Sequence, residues 1–478
     1  MSELKQKTTN GLKWSAIERI ATQAIQLIVM LILGRMLGPE AFGLVGMLAI
    51  FIAISQTFVD SGFSSALIRK QDRSEADFAT TFYFNVVVSF GCYILLFTSA
   101  PYIAVFYHQP ELINLTRVLG VVILANAFAV VQRTRLTVAM NFKIQAKASI
   151  LSVCCSTIVA LTLAYYNFGV WALVGQTLSF AIFNVILLNI FDPWLPKCGF
   201  SKASFKELFG FGSKLLISGL LDTIYNNIYQ IIIGKLFNAS QLGLFSQAKN
   251  LSSIPAMTLT GIIQKVTYPV MSHIQNDQQA LDKAYLLTLR IAAVVIFPIV
   301  IGLGLVAKPL LTILLGMEWQ SASELMTILC FGYMLYPIHA INLNLLQVKG
   351  RSDLFLQLEI TKKVITTIAL VISIPFGIKA ICIGITIQSY LALLINTYYT
   401  GKLSSLTMLK QFKVLISIWL LTLGCTAFAS LWYLIIDNDI IQLGLIIITA
   451  LSLYIIAIKY LQSDLFDYMI NTMIRKSN

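Results

Sequence analysis

Glu18, Thr22 and Gln26 recur at i, i+4 and i+8 inside an apolar run, so a helix there carries one polar stripe. Ser218, Asp222 and Asn226 repeat that spacing 200 positions later, with Tyr225, Tyr229 and Gln230 beside them. Polar groups in an apolar run are costly, and they face either a cavity or a partner helix. Two readings therefore stand side by side. One is the wall of a hydrated cavity, built from Gln26, Asp222, Tyr225, Asn226 and Tyr229; the other is polar packing between helices. Cations are embedded too. Arg135, Lys214 and Arg290 stand within two turns of a boundary and can extend to the surface. Arg133, Lys249 and Lys265 lie deeper, and Arg117 joins them as a candidate. Arg and Lys in a cavity make a site for phosphate, which Arg grips with two parallel hydrogen bonds. Glu18 and Asp60 are the candidate protonatable groups for ion coupling; Asp60 is equally placed to pair with a cation such as Arg19.

The elements that must position these residues follow from composition. Of 478 residues, 58% are apolar and 12% charged, against about 45–50% and about 25% in ordinary globular chains. So few charges cannot cover a water-soluble surface of this size. The expected class is an all-α polytopic membrane protein. Apolar runs of spanning length, about 20 residues, number about fourteen, among them 112–138 and 322–347, with very tight turns at 166–169 and 375–377. The run from Gly11 to Leu37 is too long for a signal peptide and reads as a retained first span.

The excess of 34 Lys+Arg over 21 Asp+Glu reads as loop charge facing the cytoplasm rather than as a nucleic-acid surface. One side collects Lys5, Lys7, Lys13, Arg69, Lys70, Arg73, Lys143, Lys147, Lys197, Lys202, Lys206, Lys283, Lys349, Arg351, Lys402, Lys410, Arg475 and Lys476. The other holds only Arg35, Lys235, Lys308 and Lys379. Both termini are thus expected in the cytoplasm. The longest outer loop is expected from about Lys308 to Ser321.

An internal repeat is visible. Residues 31–37 match 231–237 without a gap, and Phe42-Gly43-Leu44-Val45 matches Leu242-Gly243-Leu244-Phe245 at the same offset of 200. With six spans between the copies, the arrangement reads as a parallel duplication about an axis along the membrane normal. The expected layout is a six-helix lobe over 1–200, a second over 201–403, and two further spans with a tail over 404–478.

Several chemistries are excluded. The seven cysteines form no C-x-x-C pair and read as buried thiols, with no metal site. His273 and His339 lack acidic neighbours and read as packed histidines. No Walker-A, H-E-x-x-H or G-x-S-x-G sequence occurs, so neither nucleotide hydrolysis nor a cofactor is expected, and the chain is not read as an enzyme.

Taken together, Lys13-Trp14-Ser15-Ala16-Ile17, Phe42-Gly43-Leu44, Asp60-Ser61-Gly62-Phe63, Gln264-Lys265-Val266-Thr267-Tyr268-Pro269-Val270-Met271, Phe297-Pro298 and Leu315-Gly316-Met317-Glu318-Trp319 resemble the Wzx-type lipopolysaccharide and exopolysaccharide flippases, closest to the colanic-acid-exporter type. These belong to the multidrug/oligosaccharidyl-lipid/polysaccharide flippase superfamily. The resemblance spans almost the whole chain. It implies a two-lobed, V-shaped bundle with alternating access in a bacterial inner membrane. It implies an undecaprenyl-diphosphate-linked oligosaccharide as substrate, with a polysaccharide polymerase and a chain-length regulator as partners. The family has no short catalytic signature, so it assigns no site residue here. Two alternatives are weighed. An ion-coupled exporter of cationic drugs needs an acidic cavity, and embedded cations outnumber acids. A membrane polymerase or ligase needs a sizeable outer loop with Arg and His, which the chain lacks.

The loop charges generate a direct test. Reporter fusions at Lys202 and Lys410 report cytoplasm, and one at Asp437 reports the opposite side. A cytoplasmic signal at both Lys410 and Asp437 removes the thirteenth span.

Overall fold

A bilayer offers no water to backbone N–H and C=O groups, so a chain this apolar must satisfy them within helices. A computed structural model bears this out: it describes residues 2–474, and among the described residues there are helices and turns but no strand. Arg475 and Lys476, read above as inner-face charges, lie outside the described residues, as do the side chains of Lys5 and Lys7. Ten stretches are long and apolar enough to cross a membrane, and two of them, 13–69 and 352–403, are 57 and 52 residues long, each about twice the length of one span. The chain divides into two units, 1–243 and 244–478.

In the first unit, α1 (Ser2–Asp60) bends at Gly38, whose φ of 69° is open to glycine, and continues from Pro39. A second break at Ser61-Gly62 (φ 45° and 69°) leads into α2 (Phe63–Arg69). Then come α3 (Glu75–Tyr107), α4 (Leu112–Val138), α5 (Phe142–Tyr165), α6 (Trp171–Phe191) and α7 (Lys202–Leu236). The tight turn expected at 166–169 is present, with Asn167 and Gly169 both at positive φ. Helix α7 packs on α1, α2 and α3. Helix α8 (Ala239–His273) starts in this unit and continues into the second. Neither α7 nor α8 is among the ten apolar stretches, because both are rich in polar positions such as Asp222, Asn226, Asn227, Asn250 and Gln264.

The residues matched at an offset of 200 meet one another. A Cβ added to Gly43 would lie 1.7 Å from the Ala239 carbonyl oxygen, and one added to Gly243 would lie 1.9 Å from that of Pro39. Two helix starts thus cross backbone to backbone, each glycine opposite the other's first carbonyl. Further along, Thr57 Oγ1 and Thr223 Oγ1 are 3.1 Å apart, and Gly62 and Gly212 pack with their backbones in contact. Lys70 Nζ closes the row, 3.0 Å from both Glu207 and Asp77. Small residues let helices approach this closely in a membrane, where packing rather than water expulsion drives association.

The second unit holds α9 (Gln278–Leu305), α10 (Ala307–Leu314), α11 (Gln320–Tyr333), α12 (Tyr336–Val348), α13 (Ser352–Ser373), α14 (Gly377–Leu403), α15 (Met408–Ala429), α16 (Asp439–Leu461) and α17 (Ser463–Ile474). Two details differ from expectation. The segment expected as a loop from 308 carries α10, followed by a turn that buries Trp319. One expected span is broken into α11 and α12 around residues 334–335. Pro337, in the first turn of α12, has no N–H for the carbonyl four residues back, so the helix restarts there. Helices α15 and α16 pack on α9.

Gly43→Ala or Gly243→Ala must push the crossing backbones apart. Each is expected to destabilise the unit by about 1–3 kcal/mol, the usual cost of overpacking. Gly91→Ala, with open space around it, changes stability by less than about 0.5 kcal/mol. Denaturant unfolding in detergent checks this; equal effects at Gly43 and Gly91 contradict the contact.

Candidate polar cavity in the first unit

The first polar stripe finds a partner across α1, α4, α5 and α6. Glu18, Thr22 and Gln26 of α1 line a cavity of about 270 Å³ together with Arg133 of α4 and Gln145 and Ser149 of α5. Phe180 and Leu188 of α6 close its apolar side. Arg133 Nη2 donates to Asn184 Oδ1 at 2.6 Å, and Asn184 Nδ2 sits 3.5 Å from Ser152 Oγ. Gln145 Nε2 donates to the Arg133 carbonyl (3.1 Å) and to Thr137 Oγ1 (3.0 Å). Thr22 Oγ1 returns its proton to the Glu18 carbonyl at 2.7 Å, which leaves the Glu18 carboxylate to the cavity.

The chemistry of this arrangement is anion recognition beside a titratable acid. Asn184 occupies one of the five guanidinium donors of Arg133 and fixes the plane of the fork. Its other donors face a polar space shared with Glu18. A bidentate oxyanion can take them, and Glu18 opposes that anion unless protonated. Among the described residues no group of three His, Cys, Asp or Glu could hold a metal ion.

Glu18, Gln26 and Arg133, singled out from the sequence, therefore come together. Arg117 lies on α4 but sixteen residues away, with its guanidinium over the Phe97 ring at 4.5 Å. Asp60 ends α1 and its carboxylate accepts the Ser64 hydroxyl at 2.5 Å. Asp222 and Asn226 are exposed on α7, with Tyr225 and Tyr229 half-buried; none of the four lines this cavity. Lys249 and Lys265 are on the part of α8 that belongs to the second unit, Lys249 half-buried and Lys265 exposed. At 100° per residue, sixteen positions put these two on nearly opposite faces of the helix.

Sequence reading missed Asn184, Gln145 and Ser149. Asn184 left a signal, a lone amide amid Phe183, Val185 and Ile186, but nothing in the chain order pairs it with a residue 51 positions earlier.

In the second unit a cluster of buried polar groups pairs internally. Tyr285 Oη lies 2.7 Å from Asn342 Oδ1 and 2.9 Å from Gln411 Oε1, and Thr400 Oγ1 donates to Asn342 Oδ1 at 3.0 Å. His339 lies between Ser389 (3.1 Å) and Asn396 (3.3 Å), a packed histidine.

A model of the family described as "Polysaccharide biosynthesis protein" matches residues 32–324. The chain is 26% identical over 363 residues to the teichuronic acid biosynthesis protein TuaB of Bacillus subtilis, covering 74% of each. It is 24% identical over 429 residues to the lipopolysaccharide biosynthesis protein WzxC of Escherichia coli, covering 87% of this chain and 85% of that one. Among solved structures, the inward closed conformation of the lipid II flippase MurJ superposes with a TM-score of 0.74 at 13% identity, over 94% of this chain and all of the other. That likeness establishes the fold.

Proposed function

We propose that this chain, which belongs to the polysaccharide biosynthesis protein family, is a flippase that carries a polyprenyl-diphosphate-linked oligosaccharide from the cytoplasmic to the outer leaflet. The observation that carries this reading is Arg133, a guanidinium planted by Asn184 in a polar cavity between four apolar helices. A diphosphate diester brings about two negative charges, and moving it through a low-dielectric interior requires fixed positive partners. The names of the relatives, which concern teichuronic acid and lipopolysaccharide synthesis, and the fold shared with a lipid II flippase support the same substrate class, with undecaprenyl the expected lipid.

In this reading Arg133 is the principal diphosphate contact, with Lys249, Lys265 and Arg117 meeting the charge at other stages. Gln26, Asp222, Tyr225, Asn226 and Tyr229 receive sugar hydroxyls. Glu18 is the coupling acid, since its protonation removes the charge that competes with the substrate for Arg133; Asp60 is the second candidate. The lobes are 1–200 and 201–403, followed by the two spans and tail of 404–478. Two parallel six-helix repeats rock about the crossing at Gly43 and Gly243, and the reciprocal contact of residues 39 and 43 with 239 and 243 supports that symmetry. The protein sits in the bacterial inner membrane with both termini in the cytoplasm and works beside a polysaccharide polymerase and a chain-length regulator.

Arg133→Ala is expected to lower polysaccharide export at least tenfold while the protein stays at normal level in the membrane. Arg133→Lys keeps the charge and loses the fork, and falls between. Glu18→Gln mimics the protonated acid and is expected to weaken the dependence of export on the proton gradient. Export assayed in a strain lacking its own flippase reads all three; unchanged export by Arg133→Ala overturns the assignment.

A further inference from the structure

A larger cavity, of about 400 Å³, lies at the end of the first unit that bears the basic loops, and none of its lining is shared with the one around Arg133. It is framed by Gln71 and Arg73 between α2 and α3, Phe78 in the first turn of α3, Arg135 near the end of α4, Asn141 ahead of α5, and Asp192 just past α6. Its size falls within the ~300–1,000 Å³ of small-ligand sites.

The polar groups here are short of partners. Arg135 Nη1 is sealed from solvent with no hydrogen-bond partner, and its distance to the Asp192 carboxylate, 3.7 Å, is too long for a hydrogen bond. The guanidinium is held in place from behind by Trp194, 5.0 Å away, whose Nε1 donates to Glu75 at 2.8 Å. Arg73 is anchored through Nε to the Lys70 carbonyl at 2.6 Å. Asn141 precedes α5 without a side-chain cap bond. The nearby acids are engaged elsewhere: Glu75 by Trp194, and Asp77 and Glu207 by Lys70. Asp192 is the one carboxylate in the lining.

The mixture of groups decides the ligand class. A phosphate offers only acceptors. It would suit Arg73 and Arg135 but would face Asp192 and the carbonyl end of α4, whose residues Val138 and Ala139 also line the cavity. A sugar presents a hydroxyl at each ring carbon, each able to donate and accept at once. Its hydroxyls can accept from the two guanidiniums, donate to Asp192 and the carbonyl end, and pair both ways with the amides of Gln71 and Asn141. Phe78 supplies an apolar face for the ring. The geometry points to a glycan subsite: this cavity receives sugar residues of the oligosaccharide head before the diphosphate reaches Arg133. The inference rests on the proposed function for the identity of the glycan, and on the cavity alone for the binding of a sugar.

Saturation-transfer difference NMR on the full-length protein in nanodiscs tests it, with neutral hexose, N-acetylhexosamine and 6-deoxyhexose disaccharides as probes. At least one probe is expected to show transfer to its ring protons. The signal drops at least fivefold in Asn141→Ala combined with Gln71→Ala, two positions outside the packed core, and in Arg135→Lys, and it persists with inorganic phosphate in excess. No transfer with any probe overturns the subsite, as does transfer that survives these substitutions. Loss of signal to phosphate overturns it in favour of an anion site. Export in cells separates the two readings. If export depends on Arg133 but no disaccharide binds, only the subsite fails. If a disaccharide binds through Asn141 and Arg135 while the protein restores no export, the flippase reading fails and the sugar site stands.

Discussion

A guanidinium in the interior of a membrane protein has to be compensated, and the inner construction of the first unit follows from how that is done for Arg133. An Arg at the centre of an isolated spanning helix costs about 2.5–3.5 kcal/mol on insertion scales, an upper bound for Arg133, which lies in the last two turns of α4. One hydrogen bond to a charged group returns about 1.5–3 kcal/mol. The bond to Asn184 therefore offsets much of the cost, and the polar cavity with Glu18 covers the rest without occupying the whole fork. Donors remain for a ligand. Four helices must hold register for this to work: α1 brings Glu18, α4 the Arg, α5 Gln145 and Ser149, and α6 the Asn. The close packing of α5 on α6 and of α1 on α5 provides that register.

The second unit handles the same constraint differently. Tyr285, Asn342, Thr400 and Gln411 close on one another across α9, α12, α14 and α15, and Asp282 accepts from the Ser405 N–H at 2.9 Å. Such a closed network fixes four helices together and offers little to a ligand. It also joins α15 to α9, α12 and α14. The first unit keeps polar groups open to a cavity; the second closes this cluster around itself.

Much of the fold was legible in the sequence because a bilayer imposes a length and a periodicity. The limits expected for α4 coincide with those observed, 112–138, and the turns at 166–169 and 375–377 are where Asn167, Gly169 and Gly377 take positive φ. The match between 31–45 and 231–245 located residues that turn out to touch, since Gly43 and Gly243 serve a backbone crossing that no larger residue permits. The candidate site was only half legible. Periodicity put Glu18, Thr22 and Gln26 on one face, but which cation faces them depends on how α4 is rotated against α1, and the chain order does not encode that. Arg133 and Arg117 look alike in sequence, yet one meets an amide and the other an aromatic ring. The cavity at Arg135 was hidden for a further reason: its lining comes from three inter-helix segments and from the ends of α3 and α4, each unremarkable alone.

The central claim is that Arg133 conducts a diphosphate-linked glycan across the bilayer. Purified protein reconstituted into liposomes with a fluorescent polyprenyl-diphosphate disaccharide tests it directly, with an added glycosidase reporting how much of the sugar is exposed outside. The account predicts that wild-type protein raises the accessible fraction from about half toward completion, since substrate in the inner leaflet is carried out during the assay, and that Arg133→Ala leaves it at about half, the share an unflipped symmetric bilayer exposes. An accessible fraction that stays at half with the wild-type protein, or that rises equally with Arg133→Ala, contradicts it.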